Sequence, residues 1–171
     1  MLFKKVILAF LLCYVGNAYA QDGDFCNAVL TIARDAPNEF RNIRGNLKES
    51  HQNAAIWASG IAVPGSIGSR FVKAMGLFYE CAFFQSKNKD QVKTVYEKYR
   101  DLLNSCLLHE GFTLSMQPNF YPGLAEYKKL VFMQDVKEDA PAGAAPSHIT
   151  LEATYNKDIK QYTIVLFIFE H

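Results

Sequence analysis

Two stretches of this chain are apolar on both of their faces, and that constrains the fold more than any other feature. Within 70–84, Leu77, Tyr79, Cys81 and Phe83 alternate with Phe78, Glu80, Ala82 and Phe84. Successive strand residues point to opposite sides, so a strand with hydrocarbon on both is covered on both. The stretch 162–169 has the same character and is expected to lie centrally in its sheet. Gly76 is expected to form a bulge within 70–84.

Helical cover for such a sheet is written most clearly between Asn88 and Gly111. Asn88 with Gln91 makes a capping-box-like start. Val92, Val95, Tyr96, Tyr99, Leu102, Leu103, Cys106 and Leu107 then hold one helical stripe, with Lys93, Glu97, Lys98, Arg100, Asp101 and Glu110 outside it. The spacing predicts a helix of about five turns lying on a sheet. An earlier helix is expected from Asp24 as N-cap, with Phe25, Val29, Ile32 and Ala36 on one stripe. Pro37 ends it, a restart carries Phe40 and Ile43, and Gly45 closes the segment.

The remaining pattern is extended. Residues 46–53 read as a polar loop and 54–63 as a strand containing Trp57. Val63-Pro64-Gly65-Ser66 has the order of a type II turn. Phe112, Leu114 and Met116 alternate, 117–124 form a loop with a second Pro-Gly, and 127–134 read as a strand. Residues 135–146, rich in Ala, Pro and acidic side chains, read as a mobile surface connection. Ile149, Leu151, Ala153 and Tyr155 alternate with Thr150, Glu152 and Thr154, and Asn156-Lys157-Asp158 turns the chain into 162–169.

The expected fold is therefore α+β: an antiparallel sheet of about 5–7 strands with two main helices packed on one face. Each half, 21–86 and 87–171, runs from a helix to an aromatic strand, which suggests a degenerate duplication of an α-β-β(-β) unit.

Residues 1–20 read as a cleavable signal peptide. Lys4 and Lys5 precede an apolar run from Val6 to Gly16, and Asn17-Ala18-Tyr19-Ala20 supplies a small-x-small exit. The run is too short for a membrane span. Cys13 belongs to that discarded segment. Residues 21–171 are expected to form one domain, periplasmic or extracellular, without an integral membrane segment. Their acidic and basic side chains nearly balance, which argues against nucleic acid as a partner.

Cys26, Cys81 and Cys106 remain after cleavage, an odd number that permits one internal pair. If the helices run antiparallel, Cys26 approaches Cys106; Cys81–Cys106 is the rival pairing. Cys26 is also the sharpest candidate nucleophile, since a first helical turn lowers a thiol pKa. None of His51, His109, His148 and His171 stands in a thiol-enzyme context. Ser59, Ser66 and Ser69 flank the first Pro-Gly turn without a visible triad order. His148 and Glu152 stand about 13 Å apart on a strand, too far to hold one ion. No metal, cofactor or phosphate-binding motif is present.

Helices on one side leave the far side of the two-faced strands to be covered by something else. The leading expectation is a non-enzymatic binding or interaction module. Its helix-free face would be a dimer interface or a groove for an apolar or peptide ligand, with Trp57, Phe78 and Phe84 as candidate contacts. The alternative is an exported hydrolase using Cys26 or a turn serine.

Overall fold

The computed structural model describes residues 23–121, 123–134 and 147–169. The expected signal peptide, the expected mobile connection at 135–146 and His171 lie outside the described residues.

Helix α1 occupies residues 23–35 and ends in a 3-10 turn, Ala36–Asn38, that contains Pro37. Strands β1 (Arg44–His51), β2 (Ala54–Ser59), β3 (Gly68–Lys73) and β4 (Leu77–Ser86) follow. Helix α2 spans Asp90–Leu107, and a 3-10 turn, Leu108–Glu110, leads to Gly111, whose φ of 83° ends the segment. Then come β5 (Thr113–Gln117), β6 (Lys129–Gln134), β7 (Ser147–Asn156) and β8 (Gln161–Phe169).

Among the described residues eight strands join one antiparallel sheet in the order β1-β2-β3-β4-β8-β7-β6-β5. The two-faced strands β4 and β8 are the two at its centre, as their composition requires. Each half supplies a helix followed by four strands, and the strand order is symmetric about the β4–β8 junction.

The sheet has eight strands rather than 5–7, for two reasons. Residues 70–84 are a hairpin and not one strand: Gly76 lies in the connection between β3 and β4 instead of making a bulge. The stretch read as a polar loop is β1, an edge strand almost wholly exposed. An edge strand with no buried face carries no alternation to be read. The helical restart after Pro37 is also absent, because Glu39 and Phe40 take φ of 56° and 54°. That left-handed pair swings Phe40 into the core, where its ring lies 5.0 Å from Phe71.

Both helices pack on one face. Phe25 of α1 and Tyr99 of α2 each stand against Phe83 of β4, with centroids 5.9 and 3.8 Å away. Beneath them Leu77, Tyr79 and Cys81 of β4, Ile149, Leu151 and Ala153 of β7, and Ile164, Leu166 and Ile168 of β8 form a continuous core. On α2 the buried side chains are Val92, Tyr96, Tyr99, Leu103, Cys106 and Leu107, members of the expected stripe. Asn88 accepts from the Asp90 N–H at 2.9 Å, so it turns the chain into the helix one residue ahead of the cap.

Two tyrosines of α2 also tie down long connections. The Tyr99 hydroxyl donates to the Gly65 carbonyl at 3.2 Å, and the Tyr96 hydroxyl donates to that of Lys128. Gly65 is required there: its φ is 82°, and a Cβ would sit 2.5 Å from the Tyr99 oxygen. The β2–β3 and β5–β6 connections are thereby fixed relative to the sheet.

Candidate functional site

The face opposite the helices is ordered by cross-strand pairing into three rows. One runs Val72, Phe78, Phe169, His148, Met133. The next runs Arg70, Glu80, Phe167, Thr150, Val131. The third runs Gly68, Ala82, Val165, Glu152. Directly opposed residues share a face, so each row is a line of neighbouring side chains.

The first row is an aromatic patch. Phe78 lies 5.8 Å from Phe167 and 5.7 Å from Phe169, and His148 lies 4.8 Å from Phe169. These rings are half-buried, whereas Thr150 and Val131 beside them are fully or almost fully buried.

Beyond Phe167 the side chains become small, and the surface falls into an open groove of about 740 Å³. Gly68, Ala82, Thr163 and Thr154 line it where bulkier residues would fill it. Arg70 and Glu80 stand at one end, joined by a 2.9 Å bond between guanidinium and carboxylate. Gln85, Tyr155 and Asn156 line it further along β4 and β7. Ile67 and Tyr121 reach it from the two connections that α2 ties down.

Tyr121 is held in place from below. Asn119, almost fully buried, donates to the Ala153 carbonyl at 2.8 Å and accepts from the Tyr121 N–H at 3.0 Å. Partial burial raises the Tyr121 hydroxyl pKa, and the negative charge of Glu152 adds to that. Burial likewise raises the Glu152 carboxyl pKa, opposed by Lys129.

Of the three candidate contact residues, Phe78 alone lies on this face. Alternation places Phe84 there as well, but the β4–β8 register shifts between Ala82 and Phe84. The bulge sets Phe84 opposite the buried Ile164, so it packs against the core on the helix side. Trp57 is opposite Phe71, also on the helix side, with the Arg44 guanidinium 4.7 Å from its ring centre. The groove residues Arg70, Glu80, Gln85, Tyr121, Thr154, Thr163 and Phe167 form no motif in the sequence. Their one local signal is the row of small residues at outward positions.

Cys26 and Cys106 are paired as a disulfide with Cα atoms 5.4 Å apart. The bridge joins the first turn of α1 to the last turn of α2. The rival Cys81–Cys106 pairing does not form: Cys81 is a buried free thiol whose pKa burial pushes up to about 12. A thiol so raised is a poor nucleophile, and Cys26 is occupied by its bond. Ser59 donates to the Ile61 carbonyl, while Ser66 and Ser69 lie against Cys81 and Tyr79. His51 is exposed on β1 near Glu49, and His109 is exposed beyond α2. Among the described residues no three His, Cys, Asp or Glu side chains gather in a metal-holding group. Nor is any helix there long and apolar enough to cross a membrane.

Among the described residues, the fold and groove define an α+β protein with an open, side-chain-lined depression on the face of an antiparallel sheet that no helix covers. Compared with protein families, curated proteins and solved structures, the chain matches none.

Proposed function

We propose that this chain is an exported, non-enzymatic binding module, and that its helix-free face is the surface that binds. One observation carries the reading: the central strands keep aromatic side chains on the face away from both helices, and that patch runs into a groove. The groove is concave and of ligand size, as binding sites are, and its polar side chains stand beside the apolar ones of the patch. Export is supported by the signal-like composition of 1–20 and by the Cys26–Cys106 pair, since disulfides persist in oxidising compartments. In this reading 21–171 is one domain, and its two helix-plus-four-strand halves are a degenerate duplication. The hydrolase alternative loses its thiol to the disulfide.

Native mass spectrometry and light scattering of the purified chain test the proposal. A retained small ligand is expected, removed by Phe167→Asp at the junction of patch and groove. A ligand-free monomer whose spectrum is unmoved by lipid, peptide and glycan probes overturns it.

A further inference from the structure

The groove has a composition that selects among ligand classes. Its backbone is already spoken for, because β3, β4, β8 and β7 pair with one another across its floor. Recognition there is left to side chains, so an extended peptide gains no strand-like pairing from it. Those side chains are hydroxyls (Thr154, Thr163, Tyr121), amides (Gln85, Asn156) and the Arg70–Glu80 pair. The pair matters most. Arg70 and Glu80 neutralise each other at 2.9 Å while each stays partly exposed, 50% and 25%. They present donors and acceptors to a ligand without presenting net charge, which disfavours phosphate, nucleic acid or an anionic lipid headgroup. A free acyl chain fits poorly as well, since an open groove with this many polar groups leaves it wet on one side and the polar groups unpaired on the other.

A neutral ligand with many hydroxyls meets both demands. Each hydroxyl donates and accepts, and vicinal hydroxyls match the flat forks of Arg, Glu, Gln and Asn side chains. The pyranose ring also has an apolar C–H face, which stacks on an aromatic ring. Tyr121 offers such a ring at the groove edge, 38% exposed and clamped by Asn119. We infer that the groove binds a neutral oligosaccharide, with Tyr121 as the stacking platform and Arg70, Glu80, Gln85 and Thr163 as the hydroxyl-recognising groups. This rests on the binding-module reading above and adds the ligand class.

The test is an amide-resolved NMR titration of the purified chain with a panel of neutral hexasaccharides, α- and β-linked glucose, β-linked xylose and N-acetylglucosamine. Palmitate and a neutral extended hexapeptide are run in parallel. The expected result is saturable shifts from at least one hexasaccharide, concentrated at Gln85, Thr154 and Thr163. Tyr121→Ala should weaken binding about tenfold, roughly the loss of one aromatic contact. Met75→Ala, on the fully exposed β3–β4 connection, should leave it unchanged. Shifts at those amides from palmitate or peptide alone overturn the oligosaccharide inference and leave the binding reading standing. So does self-association that buries the face. Silence from every probe with a monomeric protein overturns both.

Discussion

Tyr79 and Phe78 are neighbours in one strand, and their surroundings are opposite. Tyr79 is fully buried under the helices, its ring 5.2 Å from Phe71. Phe78 is half-buried on the other side, among rings contributed by the sheet itself. The two faces of β4 and β8 are comparably apolar, so hydrophobicity alone does not decide which becomes core. The helices decide it. Phe25, Cys26, Tyr99 and Cys106 meet over one face, and the other keeps an aromatic patch, a charge pair and a groove. Core on one side and partly solvated aromatic side chains on the other predict effects of very different size for the same substitution.

The largest effect is expected at Phe71→Ala. Its ring is fully enclosed between Phe40 and Tyr79, and removing such a side chain costs about 3–5 kcal/mol through lost burial and an unfilled cavity. Urea unfolding measures it. The matching change on the other face, Phe78→Ala, is expected to cost only about 1 kcal/mol, because the ring is already partly wet. Equal losses would mean that the helix-free face is a second core and would remove the contrast between the two.

Next comes the disulfide, which reinforces the covered face alone. Its bridge closes a loop of 80 residues in sequence separation. On the chain-entropy account, replacing both Cys26 and Cys106 by Ser lowers unfolding free energy by about 4 kcal/mol. Groove amides are expected to keep their chemical shifts in that variant below its melting temperature. A displaced Tyr121 resonance would show that the helix layer and the groove are more tightly joined than their separation across the sheet implies. Peptide mapping under non-reducing conditions checks the pairing itself.

This contrast also explains what could be read in advance. The α2 stripe and the alternation of Ile149, Leu151 and Ala153 were legible because burial on one side imposes a period on the sequence. The central place of 162–169 was legible because apolar side chains on both faces abolish that period. β1 was not, since an exposed edge strand imposes neither. Phe84 was misplaced by a single extra residue: a bulge inverts the side of everything after it and leaves no mark in composition. The groove was the least legible part. Arg70 meets Glu80 and Phe167 meets Thr150 only through strand pairing, and Tyr121 arrives from a connection well removed in sequence from β8.

The smallest expected effect has the opposite sign from the rest, and it comes from the helix-free face. Glu152 lies half-buried in the Gly68–Ala82–Val165 row, and burial raises its pKa above the ordinary carboxylate value against the opposing pull of Lys129. A carboxyl whose folded pKa exceeds its unfolded pKa favours folding most when protonated in both states. That contribution is complete below the unfolded value and is lost as pH rises through the folded one, so the charged side chain burdens the fold at neutral pH. Glu152→Gln removes the charge and keeps the shape. The variant is expected to melt slightly above the parent at about pH 7, with the difference shrinking towards about pH 4. Paired melting curves at the two pH values read the sign directly. A variant that melts lower at neutral pH would mean that the Lys129 attraction outweighs burial, and that this stretch of the sheet lies in water instead of being partly withdrawn from it.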